Sequence, residues 1–289
     1  MRAVMLVLMA FASYNVADAF LKHIASLYYF AEAAFYPSLF YGVFVLLAHK
    51  RFGGASSLLK TNKKALHLLR AMAGTGCYLC FVIALKNITL AEAYTILLSS
   101  PFWIATLSIF FFQEKIGWHR WLAIVIGFIG VLVVLRPGVI AVQPASLLML
   151  GAALCFSFFV IFTRKIGSEE SLFNMVIIPI IMEAIVFIPL IILNGNWQPP
   201  QAGHIIFFIA AGLFYLGGTS LSALGFSAGE SSLLAPLHYS QIIWGSLIGY
   251  FIFQEIPEKW TILGAAIIIG SGIYLIYREH INHKTTVSD

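Results

Sequence analysis

The chain has 289 residues, of which 61% are hydrophobic and only 10% charged, with a formal net charge of +5. Soluble domains carry about a quarter charged residues, so this composition excludes a water-soluble globular fold, and the length leaves no room for a large extramembrane domain. Three cysteines, Cys77, Cys80 and Cys155, all lie in apolar runs; they imply no disulfide framework, and the nominal C-x-x-C reads as packing.

A membrane-crossing helix needs about 20 mostly apolar residues, and ten segments qualify: 3–22, 30–48, 67–86, 91–112, 118–136, 145–164, 171–193, 203–224, 231–253 and 260–277. Lipid offers no hydrogen-bond partners, so each segment must satisfy its own backbone, and an all-α integral membrane protein is predicted. The first segment also has the look of a cleavable signal peptide, with Arg2, an apolar run and Ala17-Asp18-Ala19. It is read as a retained helix, because Asn15 and Lys22 have counterparts in Ser157 and Arg164, 142 positions on. The same offset relates Pro37 to Pro179 and Gly76 to Gly218, and Phe112-Gln113-Glu114 returns as Phe253-Gln254-Glu255 after 141 positions. The chain thus reads as a duplication, residues 1–138 and 139–289, within one membrane domain. Five helices per half is an odd number, so the second half enters the membrane in the opposite sense. The expected architecture is ten transmembrane helices as two inverted five-helix repeats.

Lys and Arg placement sets the expected orientation. With a cytoplasmic N-terminus, fourteen of them fall inside, among them Arg2, Lys50, Lys63, Lys64, Arg164, Lys165 and Lys259, against Lys22, Lys86 and Arg136 outside. Both termini are therefore expected in the cytoplasm, and Glu114 and Glu255 are assigned to helix ends at the cytoplasmic face. The basic 50–64 loop reads as a topology signal beside an anionic leaflet, not as a nucleic-acid site.

Polar groups are costly in a bilayer, so those on the helices are the candidates for function. In helix one, Phe11, Asn15, Asp18 and Lys22 fall on one stripe, either as a cavity wall or as an Asp18–Lys22 pair reaching the outer surface. Helix four repeats Glu92, Thr95, Ser99 and Trp103 at steps of three or four, and Pro101 among them should loosen the backbone. The plainer alternative is that the hydroxyls bond their own backbone and the indole packs. Helix nine answers with Ser231, His238, Gln241 and Gly245 on one face, Pro236 interrupting it, and Gly245-x-x-x-Gly249 as a close-packing surface. Proline-broken helices at equivalent places in two inverted halves point to a central site. Tyr215, Thr219 and Ser222 line helix eight, and Tyr78 adds a phenol from helix three. The candidate substrate contacts are Asn15, Asp18, Thr95, Ser99, Trp103, Tyr215, His238 and Gln241.

Glu183 lies deep in helix seven between Pro179 and Pro189. A lone carboxylate there is protonated or paired with a cation, which makes it the candidate for proton coupling; the alternative is a neutral acid bonded between helices. Glu32 and Tyr36 lie near the outer end of helix two. Gly127, Gly130, Gly264, Gly270 and Gly272 form small-residue faces that pack within the protomer or make a dimer seam, so monomer and homodimer both stay open. There is no G-x-x-x-x-G-K-[ST], H-E-x-x-H or G-x-S-x-G motif and no His/Cys cluster at metal spacing. Neither ATP-driven pumping, hydrolase chemistry, a metal nor a cofactor is expected, and no selectivity loop suits a channel. The expected partners are a small-molecule solute and the lipid bilayer.

The run RWLAIVIGFIGVLVVLRPG at Arg120–Gly138, the glutamate closing the preceding helix, and QEIPEKWTILGAAIIIGSG near the end together resemble the EamA-type carriers of the drug/metabolite transporter superfamily. The resemblance spans essentially the whole chain. It implies ten helices in a five-plus-five inverted repeat, alternating access, and a central cavity walled by helices one, three, four, six, eight and nine. Many relatives carry an arginine a few residues after the equivalent of Glu32; here Ala33-Ala34-Phe35-Tyr36-Pro37 stands there, so any role of that arginine is missing. Members export amino acids and other metabolites, while others, in bacteria living inside host cells, import S-adenosylmethionine. Arg70 and the Arg120-Trp121-Leu122-Ala123 run resemble that second group. The expected function is a secondary transporter of an amino acid or related amphipathic or zwitterionic metabolite in the bacterial inner membrane. The alternatives are an S-adenosylmethionine uptake or exchange carrier, a passive channel or facilitator, and a membrane scaffold or enzyme without transport.

Overall fold

A computed structural model describes residues 2–52, 61–113, 117–136, 143–167, 170–228 and 235–286. Glu114 and Ser231 lie outside the described residues. The helices are α1 (Arg2–Leu27), α2 (Phe30–Leu47), α3 (Lys64–Leu85), α4 (Leu90–Leu97), α5 (Ser100–Phe112), α6 (Trp118–Leu135), α7 (Pro144–Ile166), α8 (Leu172–Asn194), α9 (Ile205–Ala228), α10 (Ser240–Phe253) and α11 (Lys259–Thr286). Short 3₁₀ turns follow α2 at His49–Phe52 and precede α10 at Ala235–Tyr239. No strand occurs among the described residues, as apolar segments that must satisfy their own backbones require. Seven of these helical stretches, α4 and α5 taken together as one, are long and apolar enough to cross a membrane, and Trp121–Leu135 and Lys259–Tyr274 are shorter apolar helices.

The proline signals act locally as expected. The fourth predicted segment breaks into α4 and α5 at Leu98–Ser99, where Ser99 N bonds Ile96 O and Phe102 N bonds Ser99 O in tight 3₁₀ fashion. Pro101 sits in the first turn of α5, where its missing N–H costs nothing. The ninth breaks at the 3₁₀ turn holding Pro236. Both copies of the Phe-Gln repeat end their helix in one way, with Gln113 (φ 54°) and Gln254 (φ 55°) in the left-handed region.

Loop contacts fix which helix ends lie together. Lys22, late in α1, pairs with Glu255 beyond α10 and donates to Ile88 O between α3 and α4 at 2.6 Å. Arg136 after α6 donates to Glu258 at 2.5 Å, and Ser146 at the start of α7 donates to Glu92 at the start of α4 at 2.9 Å. Tyr28 after α1 bonds His204 before α9 at 2.9 Å. So α1, α3, α6, α8 and α10 end, and α2, α4, α7, α9 and α11 begin, at what we call the Lys22 end.

This corrects two expectations. Glu255 and Lys259 share an end with Lys22 and Arg136, because α9 starts there and α10 must return to it; the sequence reading had set them at the opposite face. Lys259 stacks on Trp260, the ring that Arg136 also covers. On the sequence count the Lys/Arg balance becomes thirteen against four, and the asymmetry survives. Lys22 also does not pair with Asp18, its neighbour one turn away.

The largest interfaces each join a helix before residue 138 to one after 143: α1 with α9, α3 with α7, α6 with α11, α2 with α8 and α9, and α4 with α10. Gly130 and Gly264 let α6 and α11 touch backbone to backbone: a Cβ on Gly130 would stand 2.9 Å from Gly264 O, and one on Gly264 would stand 2.6 Å from Gly130 O. Gly127 faces Ser271, and Gly272 lies under the Tyr239 ring, so this part of the glycine seam is used inside the chain, whereas Gly270 faces open space.

Candidate functional site

One turn before Lys22 on α1, three helices from the two halves converge on one carboxylate. Asp18 is 8% exposed; Tyr94 of α4 donates to its Oδ2 and Tyr215 of α9 to its Oδ1, each at 2.5 Å. A buried carboxylate at a helix centre costs about 2.5–3.5 kcal/mol in a membrane, and two phenol donors offset part of that cost. Tyr94 reaches it because residue 245 on α10 has no side chain: a Cβ there would come within 2.5 Å of the Tyr94 ring. The Tyr215 ring lies against Tyr14, Tyr41 and Tyr78, with centroids 6.4–6.5 Å away. Tyr14 and Tyr41 both bond Thr219 on α9.

One turn before Asp18, Asn15 is fully buried; its Nδ2 donates to Phe11 O at 2.9 Å, while its Oδ1 has no partner. That oxygen stands 3.4 Å from where a Gly245 Cβ would be. Buried polar atoms without a hydrogen-bond partner include Thr75 Oγ1, Ser99 Oγ, Trp103 Nε1, Ser240 Oγ and Trp244 Nε1, in the interior of the predicted spans, and Glu32 Oε2 and Arg136 Nε nearer helix ends. In the interior of a span an unsatisfied polar group is disfavoured unless a ligand or water completes it.

The remaining candidates divide. Thr95 is fully buried, but its hydroxyl is engaged by Ala91 O in its own helix at 2.7 Å, which is the plainer alternative raised for it. Trp103 packs edge-on against Phe102. Ser99 borders a recess of about 160 Å³ with Phe102, Gly127, Tyr239 and Ser271. His238 stacks on Phe11 of α1 at 5.0 Å, with planes 4° apart, and meets Phe156 of α7 edge-on. Gln241 is buried near the start of α10, which packs on α1 and α4. Glu183 is not a partner of Asp18: its carboxyl bonds Ser38 of α2, and its charge is felt by Tyr41 and Tyr78, which pack on Tyr215. Sequence reasoning missed Tyr94, Tyr14 and Tyr41. Their one signal was a phenol inside an otherwise apolar run, and Tyr94 falls off the Glu92–Trp103 stripe.

Above this layer, the Lys22–Glu255 pair closes the Lys22 end. Glu255 also accepts from Leu90 N at 3.3 Å. A recess of about 310 Å³ opens beside the pair, with Lys86, Glu92, Gln143, Glu258 and Thr261 on its walls. At the opposite end Arg70 donates to Thr163 Oγ1 and Met175 O and covers the Phe159 ring, tying α3 to α7 and α8. Glu170, between α7 and α8, accepts from Thr61 at 2.7 Å and from Asn174 at 2.8 Å, with His67 3.3 Å away. The Thr61 hydroxyl, then Asn174 and His67, hold its carboxyl down at about 2 against the opposing effect of burial. Among the described residues no group of side chains is arranged to hold a metal ion, and Cys77, Cys80 and Cys155 are free thiols.

The sequence profile of the EamA-like transporter family matches residues 1–136 and again 143–278. The S-adenosylmethionine uptake transporter of Rickettsia felis is 30% identical over 277 residues, covering 94% of this chain and 91% of its own. The riboflavin transporter of Vibrio cholerae is 26% identical over 82% of this chain and 80% of its own. A protein crystal structure with 18% identity superposes with a TM-score of 0.62, covering 94% of this chain and 96% of the other, which extends the likeness to the fold.

Proposed function

The chain belongs to the EamA-like transporter family, and we propose that it is a secondary transporter moving a small organic metabolite across a bacterial inner membrane by alternating access. It is a transporter and not an enzyme. In this reading residues 1–138 and 139–289 are two inverted five-helix halves of one ten-span membrane domain. The double profile match supports the division. The opposite running of α1, which ends at the Lys22 end, and α7, which begins there, supports the inversion. Thirteen Lys and Arg against four support cytoplasmic termini, with the Lys22 end outside.

The observation that carries the mechanism is the Tyr94–Asp18–Tyr215 clasp, where helices of both halves meet on one buried acid. Asn15, Asp18, Ser99, Trp103, Tyr215, His238 and Gln241 are the proposed solute contacts, while Thr95 shapes the wall with its methyl and backbone. The Lys22–Glu255 pair acts as the outer gate in its closed state. Breaking it while the Arg70 and Glu170 ties tighten or yield at the other end exchanges access. The recess beside the gate carries both signs of charge, which favours an amino acid or other zwitterion at entry. A second reading, S-adenosylmethionine uptake or exchange, is favoured by the near full-length similarity to the Rickettsia felis protein.

The test is uptake into proteoliposomes of purified protein over a labelled panel of amino acids, nucleosides, riboflavin and S-adenosylmethionine. Saturable uptake of one class is expected; non-saturable flux makes it a channel, and flux of none removes the transport reading. Glu183 is proposed as the proton-coupling acid, faced by Ser38, Tyr41 and Tyr78. Glu183→Gln is expected to abolish uptake driven by a pH gradient while solute exchange persists. A variant with unchanged pH dependence contradicts this role.

A further inference from the structure

Asp18 has donors but no counter-ion. Both its oxygens take phenol hydrogens, and no cationic side chain contacts it among the described residues. Lys22, one turn along the same helix, is turned away to Glu255 and Ile88 O. One turn in the other direction, the fully buried Asn15 Oδ1 has no donor at all. α1 therefore presents two oxygen acceptors a turn apart, one a carboxylate, without a positive charge between them. Each Asp18 oxygen keeps a second lone pair after accepting from a tyrosine.

The walls about these acceptors are aromatic. Tyr215 gathers Tyr14, Tyr41 and Tyr78 around it, Tyr94 leans on Phe81, and Phe11 with His238 forms a parallel stack one turn below Asn15. Phenol hydroxyls meet the carboxylate and further rings pack about them; such surroundings suit an organic cation, whose diffuse charge is attracted to ring faces and loses little hydration. A hard metal ion needs more oxygen ligands than two.

We propose that Asp18 and Asn15 form a cation subsite, so that the solute of this transporter is an organic cation, a sulfonium or substituted ammonium, carrying an apolar or aromatic body. The inference rests on the transport reading above and narrows it: Asp18 sets the charge of the accepted solute, and Tyr94 and Tyr215 position its carboxylate. A neutral solute of the same shape leaves the acid without its partner and is rejected for that reason.

The experiment uses the full chain in proteoliposomes and pairs of solutes matched in shape but not in charge. One pair is S-adenosylmethionine with S-adenosylhomocysteine, which lacks the sulfonium methyl; the other is choline with 3,3-dimethyl-1-butanol. Competition for counterflow is measured for each member. The cation of at least one pair is expected to compete at roughly tenfold lower concentration or better. Asp18→Asn should bring that ratio close to one, and Asp18→Glu should restore most of it. Equal or reversed preference in the wild type, or a preference kept by Asp18→Asn, overturns the cation subsite. If Asp18→Asn does not reach the membrane, the wild type serves, with dicyclohexylcarbodiimide labelling of Asp18 followed by mass spectrometry. The preferred cation should slow labelling and its neutral partner should not; identical labelling rates with both overturn the proposal. Saturable flux of neutral solutes alone overturns the subsite and leaves transport standing, whereas no saturable flux across the wider panel removes the transport reading and this inference with it.

Discussion

Gly245 is where a single hydrogen atom positions the proposed site. The Tyr94 ring lies in the space a larger residue would use, and that placement brings its hydroxyl to Asp18. Gly245→Val is expected to push the ring off the carboxylate and reduce transport roughly tenfold or more, with an overpacking cost of about 1–3 kcal/mol. Transport rate and detergent melting temperature measured together check this, and a variant with normal rate contradicts the clasp. Asp18 and Tyr215 could be picked from the sequence because a charge or phenol in an apolar run needs a reason. Tyr94 could not, since helical spacing groups residues along one helix and its partner is 76 positions away. The same limit left Lys22 open between a cavity wall and a pair with Asp18. An acid at i−4 is the obvious neighbour in sequence, yet the lysine reaches past it to Glu255 in the loop after α10.

At the scale of elements, α6 and α11 form the closest helix pair through Gly130 and Gly264. Gly264→Leu must separate these backbones, and a loss of about 1–3 kcal/mol is expected, read as a lower melting temperature in detergent. Gly270→Leu, facing open space, is the control and should melt like the wild type. The glycines were legible as packing surfaces, but their partners were not, because a small-residue stripe fits any helix that offers another. Proline was only partly specific: the spans holding Pro101 and Pro236 are interrupted, whereas α2 runs through Pro37 and α8 through Pro179 and Pro189. The junction around Glu170 gives a pH prediction. Its folded-state pKa of about 2, lowered first by Thr61, lies below the ordinary carboxylate value of about 4.3. The stability it contributes is therefore fully present above pH ~4.3 and is lost as pH falls through about 2. Glu170→Gln should be less stable than the wild type at neutral pH, and the difference should shrink between pH ~4.3 and 2. A difference that does not change with pH over that range contradicts the assignment.

Across the whole molecule, the main contacts run between halves, not within them, so the chain cannot be cut near residue 140 into two self-contained bundles. That interleaving follows from the repeat: if α1 packs on α9, the copy of α1 must pack on the original of α9, and α7 does pack on α3. The duplication was legible because the Phe-Gln-Glu, proline and glycine landmarks recur at a near-constant offset, and the family profile matches the chain twice. Which helix ends lie together was less legible: the charge pattern set Glu255 and Lys259 opposite Lys22, whereas Lys22 pairs with Glu255. The proposed account needs the site to be open to one end at a time. Counterflow is the most direct test: vesicles loaded with unlabelled solute should take up the labelled solute several-fold faster than empty vesicles, with saturation. Flux that is linear in concentration and indifferent to internal solute would contradict alternating access.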